Sequence, residues 1–269
     1  MTFAPRFTSL SHPARTTEEI PRAALEGKTP NLKPIYLFAD IQLLFWKDED
    51  RLFLDSLRSL IERPHSKAAY IGASNGDELA FYSIFQAAME GIGIRDCGMI
   101  NSQPSQGEAS FLNEADLILL AGGDVQRGWE AFKKNGVREA VVRRFLEGAV
   151  LIGISAGSVQ LGWFGWPAGE LTENRLFDTF KLVPFIIDAH DDKKAWRNLR
   201  QSLRFCGGAV KGIGLPAGGG LIYHPDQTLE SIRYPAIELS FRHGEIADGL
   251  LLPPGVESSA DVVADHWIT

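Results

Sequence analysis

AVLIGISAG, Ala149 to Gly157, is the stretch whose reading decides the fold. An unbroken apolar run such as AVLIGIS fits a strand buried on both faces, which places it inside a parallel sheet covered by helices. The run ends in Gly153-Ile154-Ser155-Ala156-Gly157, a G-x-S-x-G pattern lying after the strand and before a helical segment. Such a turn is so sharp that the serine backbone is strained, and the flanking glycines leave room for neighbouring segments to pass. It lifts the Ser155 hydroxyl above the carboxyl ends of the strands and aims the Ala156 amide at the place where an oxyanion would form. Small residues that merely allow close strand–helix packing would give the same letters. The position between an apolar strand and a helix favours the chemical reading.

Working outward, ADLILLAGGD (Ala115 to Asp124) is a second apolar strand, broken by Gly122-Gly123. Parallel neighbours bring their carboxyl ends side by side, so an amide of Gly122 or Gly123 could donate a second hydrogen bond to the oxyanion. The plainer alternative is a strand-to-helix turn with Asp124 as N-cap. Val125 to Gly148 reads as helical with a break at Asn135-Gly136, and KAAYIGAS (Lys67 to Ser74) as a strand. Asp77 to Met89 reads as a helix with Leu79, Phe81, Ile84 and Phe85 for its buried side, followed by a strand near Ile94 to Ile100. IYLFAD (Ile35 to Asp40) opens the pattern, and Glu49 to Glu62 carries helical spacing through Leu52, Leu54, Leu57 and Leu60. Alternating strands and helices predict an α/β fold, a doubly wound and mostly parallel sheet with helices on both faces. Short segments at Gly219 to Tyr223, Leu229 to Ile232 and Ala236 to Phe241 fit antiparallel strands finishing the same domain. Residues 1–33 carry Pro5, Pro13, Pro21 and Pro30 without periodicity and read as an extended or partly disordered arm. Residues 34–269 are then expected to form a single α/β domain.

Hydrophobic residues make up 45% of the chain and charged residues 23%, which is globular composition. The formal net charge of −7 argues against a nucleic-acid partner, whose phosphates call for a basic excess. Cys97 and Cys206 are the only cysteines, too few and too far apart for a disulfide scaffold or a zinc site, so a reducing compartment is expected. MTFAPRFTSLSHPARTTEEIPR lacks the apolar centre of a signal peptide, and no run approaches the roughly 20 apolar residues of a membrane span. The expectation is a cytoplasmic protein with no membrane partner.

A serine at an elbow needs a base, and histidine is the usual one. Of His12, His65, His190, His224, His243 and His266, the best placed is His190, where LVPFIIDA meets the polar DDKK. His224 and His243 remain alternatives. Asp188, His190 and Asp192 alternate at a spacing that suits metal ligands, but no further His or Cys cluster completes a set, so no metal is expected.

LLAGGDV (Leu119 to Val125), GISAGS (Gly153 to Ser158), PFIIDAH (Pro184 to His190) and GIGLPAGGGLIY (Gly212 to Tyr223) together resemble the peptidase E and cyanophycinase family of serine peptidases. That family's fold is related to class I glutamine amidotransferases. The resemblance implies a Ser-His-acid triad with Ser155 and His190, and oxyanion donors at Ala156 and at Gly122 or Gly123. It places the acid between serine and histidine, where Glu170 fits best and Glu173 second. It implies no cofactor, and a small peptide or isopeptide substrate cut next to an aspartyl or related acidic group. Lys193, Arg197, Arg200 and Arg204 would share one helical face opposite Trp196, Leu199 and Leu203, a basic face that could attract such a substrate. Asp124, Asp188, Lys193 and Arg197 are the candidate substrate-binding residues. The chain departs from the pattern at Ala189, where cyanophycinases carry a larger polar residue. It departs also in the spacing of its basic residues, in the aromatic loop WFGWPAGE (Trp163 to Glu170), and in its N-terminal arm. An esterase for an uncharged acyl group, and a non-catalytic binding protein that keeps the elbow, are the competing readings. Exposed apolar surface would support a homodimer, though no pattern in the sequence shows one.

Overall fold

The elbow strand lies at the centre of a seven-stranded sheet in the structure, a computed structural model that describes residues 32–61, 65–169 and 171–256. Five strands, β1 (Ile35–Phe38), β2 (Lys67–Ile71), β3 (Asp96–Ile100), β4 (Leu117–Leu120) and β5 (Val150–Ile154), run parallel in the order β1-β5-β4-β2-β3. Next along the chain, β6 (Phe185–Ala189) and β7 (Lys211–Leu215) leave this sheet and pair with each other. β8 (Gly220–Tyr223) and β9 (Leu229–Ile232) then extend the β1 edge antiparallel. β10 (Ala236–Arg242) and β11 (Glu245–Leu251) complete a second, four-stranded sheet in the order β6-β7-β10-β11. The arm expected over residues 1–33 falls almost wholly outside the described residues.

Strand alternation explains the layers. Along β5, Leu151 faces one core while Val150, Ile152 and Ile154 face the other, and β1 divides the same way between Ile35/Leu37 and Tyr36/Phe38. The first core is closed by α2 (Gln106–Glu114), α3 (Val125–Lys134) and α4 (Val137–Leu146) through Leu112, Trp129, Phe132, Val141 and Phe145. The second is closed by α1 (Leu79–Gly91) through Phe85, Ala88 and Met89, with Leu43, Leu54 and Leu57. Each buried Leu, Val, Phe or Met among these contributes about 2 kcal/mol. The doubly wound, mostly parallel architecture therefore stands as expected.

Two local expectations are corrected. The helix read over Glu49 to Glu62 is a short hairpin, Lys47–Asp48 against Arg51–Leu52, followed by a 3₁₀ helix at Phe53–Leu60. Leu54 and Leu57, three apart, both bury there, because an i,i+3 pair suits the tighter helix as well as the α-helix. Leu79 and Phe81 are not on the buried side of α1: they are 71% and 38% exposed. Ala236 to Phe241 is an antiparallel strand as expected, and it lies in the second sheet, where α6 (Arg197–Phe205) covers it with Leu199 and Leu203. Finally, α2 was unforeseen, although Ser105 and Glu108 form the capping box that S-x-x-E spells.

Glycine tolerates no replacement where chains pass closest. A Cβ on Gly157 would lie 2.1 Å from the carbonyl oxygen of Leu120, whereas Gly107 in α2 has only the Ser105 hydroxyl near, at 3.9 Å. Gly157→Ala is expected to destabilise the fold by about 3 kcal/mol, and Gly107→Ala to stabilise it by about 0.5 kcal/mol. Urea midpoints of the two variants at constant m-value check both signs.

Candidate active site

Ser155 sits between β5 and α5 (Ala156–Leu161) at φ 47° and ψ −106°, outside the regions ordinary side chains occupy. Three contacts hold it there. Its N–H donates to the Phe38 carbonyl on β1 at 2.9 Å. A Cβ on Gly153 would lie 2.6 Å from the Ser158 nitrogen, and Gly157 presses on β4, so both glycines of the motif are required by close approach. The Ser158 hydroxyl, fully buried, lies 2.9 Å from the Phe38 carbonyl oxygen and 2.8 Å from that of Gly153. Gln160, also buried, donates from Nε2 to the Val125 carbonyl at 2.9 Å and to the Ser74 hydroxyl at 3.1 Å, tying α5 to the start of α3.

His190 follows β6 at φ 48°, with its N–H donating to the Leu215 carbonyl at 2.8 Å. Its Nε2 lies 2.8 Å from the Ser155 Oγ. With the ring proton on Nδ1, Nε2 accepts the serine hydrogen. Among the described histidines only His190 has this reach; His224 lies 3.2 Å from Glu230 Oε2, and His243 occupies the exposed turn between β10 and β11. His12 and His266 lie outside the described residues.

The Gly122-Gly123 turn adjoins the serine. A Cβ on Gly122 would lie 3.4 Å from that of Ser155, and one on Gly123 would strike the Ser74 carbonyl oxygen at 2.3 Å. Ala156 is the first residue of α5, so its N–H has no acceptor within the helix. Asp124 caps α3, its Oδ1 accepting from the Arg127 N–H at 2.7 Å.

Two cavities meet at Ser155 and His190. One, of about 300 Å³, is walled by apolar side chains of α1 and the sheet. The other, of about 540 Å³, has a mixed lining whose polar side carries Asn75, Glu78, Asp124, Arg127, Asp188 and Asn198, with Trp166 among its apolar groups. Arg127, Asn198 and Trp166 were not foreseen. Arg127 and Asn198 lie in the first turns of α3 and α6, a position that only the docking of those helices reveals.

Lys193 and Arg197 are exposed and line neither cavity. Left-handed Ala195 and Trp196 separate Lys193 from α6, which starts at Arg197, so the expected basic face is broken. Arg200 turns to β11, where its Nη1 donates to Asp248 Oδ1 at 3.0 Å. Glu170 lies outside the described residues. Glu173 is an exposed residue in a 3₁₀ turn, Glu173–Arg175, and lines neither cavity. Among the described residues no group of three or more His, Cys, Asp or Glu side chains converges, and no helix is long and apolar enough to cross a membrane.

Asp188 is the buried carboxylate of the site. Oδ1 accepts from the Ala189 N–H at 2.9 Å, while Oδ2 has no hydrogen-bond partner among the described residues. Burial, helped by the charge of Asp191, pushes its pKa up to about 7, against the opposing pull of the Ala189 and Leu199 amides and Lys194.

The profile of peptidase family S51 matches residues 47–229. The chain belongs to peptidase family S51. Membership makes it a serine-type peptidase or hydrolase. Among solved structures it is similar to a peptidase from an acI-B1 Actinobacterium at 14% identity and a TM-score of 0.59, covering 81% of this chain and 97% of that one. It is similar also to a putative peptidase E protein from Listeria monocytogenes EGD-e at 18% identity and a TM-score of 0.48, covering 82% and 99%. No curated protein matches.

The S51 chain should show the Asp188 burden in its pH dependence. A native pKa of about 7 against 3.8 means the folded state binds the extra proton between those values, so stability falls as pH rises from about 4 to about 7 and levels off above. The full span is on the order of 4 kcal/mol. Asp188→Asn is expected to flatten this slope and to be the more stable form at pH 8. Chemical denaturation at a series of pH values measures it, and an unchanged slope in the variant would contradict the assignment.

Proposed function

We propose that this S51 member cleaves an amide bond in a small peptide or isopeptide through an acyl-enzyme formed on Ser155. The observation that carries the reading is the 2.8 Å approach of Ser155 Oγ to His190 Nε2 on a strained elbow. In this mechanism Ser155 Oγ attacks the carbonyl carbon as its proton passes to Nε2. The N–H of Ala156 and one from the Gly122-Gly123 turn hold the oxyanion. Collapse breaks the C–N bond, His190 gives its proton to the departing amine, and water then attacks the acyl-enzyme with His190 again as base. Glu170 is the proposed acid that fixes the imidazole, with Glu173 second. An acidic group beside the scissile bond, which the family resemblance implies, would be held on the polar side. Arg127 supplies a cation there, beside the carboxylates of Glu78 and Asp124, and Asp188, kept protonated up to about pH 7 by burial, adds little opposing charge. Thiols rather than a disulfide at Cys97 and Cys206 accord with a cytoplasmic enzyme.

Ser155→Ala and His190→Gln are each expected to lower kcat/KM on aspartyl dipeptides by roughly 10⁴-fold, and the double variant hardly further, because the two groups act as a unit. A fluorophosphonate should label the parent and not Ser155→Ala; turnover surviving in that variant removes Ser155 from the mechanism. Glu170→Gln should lower kcat by about 100-fold or more with KM little changed, while Glu173→Gln stays near the parent. The reverse order hands the role to Glu173.

A further inference from the structure

The apolar cavity beside Ser155 has no counterpart in the mechanism above. Its walls are Ile41, Leu44, Phe81, Ile84, Phe85 and Leu119, and Ser155 and His190 close one side. The few polar groups on its lining are engaged with the protein. Asn75 Nδ2 donates to the Tyr70 hydroxyl at 2.7 Å. Asp40 accepts from the Gln42 N–H at 2.8 Å through Oδ1 and from the Gly218 N–H at 2.6 Å through Oδ2. Among the described residues no lysine or arginine lines it, and Asp40 supplies its one carboxylate. A substrate carboxylate entering here would shed water, meet no cation and face a like charge. An aliphatic or aromatic group would shed water favourably.

Two further observations bear on the occupant. A volume of about 300 Å³ equals roughly ten waters in the liquid and sits at the small end of ligand pockets, enough for one side chain or a short acyl chain. Phe81, whose helix could have turned it inward, stands 38% exposed in the cavity wall, an aromatic left partly in water where a ligand could cover it.

We infer that this cavity is the subsite for one uncharged aliphatic or aromatic side chain flanking the scissile bond, so that the preferred substrate pairs such a residue with the group held on the polar side. The inference rests on the serine hydrolase reading for its place in catalysis, but the selectivity of the cavity is a matter of binding.

Hydrolysis of Asp-Leu, Leu-Asp, Asp-Asp and Asp-Lys by the full chain tests it. One of the two leucine dipeptides is expected to exceed both Asp-Asp and Asp-Lys at least tenfold in kcat/KM, the scale on which single apolar groups are discriminated. Asp-Asp or Asp-Lys cleaved as well as both leucine dipeptides overturns the inference. Ile84→Arg, a half-buried position on α1 whose replacement puts a cation in the wall, should shift the ratio toward Asp-Asp by tenfold or more; an unmoved ratio counts against the site. Calorimetric binding of the same dipeptides to Ser155→Ala separates the two claims. If that variant still turns over peptide, the hydrolytic role of Ser155 falls, while the order of affinities alone decides the subsite: leucine dipeptides tighter upholds it, and equal or reversed order ends it.

Discussion

The structure depends on how closely the first turn of α5 passes the strands beside it. Gly157 rides against the Leu120 carbonyl and Gly153 against the Ser158 backbone, with no space for a methyl group at either. Between them Ser155 has no freedom to relax, and its left-handed φ of 47° is the consequence. Strain of this kind costs about 1–3 kcal/mol and persists only where packing over-determines the backbone. Here β5, buried along its whole length between β1 and β4, supplies that packing. The hydroxyl is therefore fixed by the sheet rather than by a loop.

The imidazole comes from a different sheet, and α5 joins the two. All six residues of α5 are buried. Its first turn carries the Ser155 junction, and its far end meets β6: a Cβ on Gly162 would lie 2.9 Å from the Phe185 carbonyl oxygen, and Trp163 N–H donates to that oxygen at 3.1 Å. β6 then runs five residues to His190. One short helix thus sets the distance between a side chain at its start and another at the end of the strand packed on it. The contact between Ser155 and His190 follows from backbone packing at both ends of α5, with no charged pair needed to draw them together.

The elbow and its strand were legible because the motif and the apolar run are both local. The place of His190 at a strand end was legible for a similar reason, since an apolar run gives way there to DDKK. The second sheet was not. Ala236–Arg242 shows a strand pattern, but nothing in those seven residues says which of two sheets they join. The basic face after His190 failed because helical periodicity was carried through Ala195 and Trp196, whose left-handed backbone breaks it. Leu79 and Phe81 looked like core because they are apolar. Their exposure depends on what lies over the first turn of α1, and amphipathic pattern does not encode that. The larger cavity escaped notice because Arg127 and Asn198 belong to separate helices and come together only through the fold.

Asp188 and His190 show how one backbone angle sorts two neighbouring groups. Along β6, Ile186 packs toward Trp196, Leu199 and Leu203, while Phe185, Ile187 and Ala189 face the main core. Period-two alternation puts Asp188 on the Ile186 side, and an unbroken strand would have sent His190 there as well. The left-handed φ of 48° at His190 ends the alternation and swings the ring to Ser155. Asp188 stays behind in the buried layer, where water is scarce and its carboxyl holds its proton to about pH 7. Glycine would meet the backbone demand at position 190 more cheaply. A histidine carries the strain instead, with its Nε2 2.8 Å from the hydroxyl of a serine strained in the same sense, a geometry that suits proton transfer.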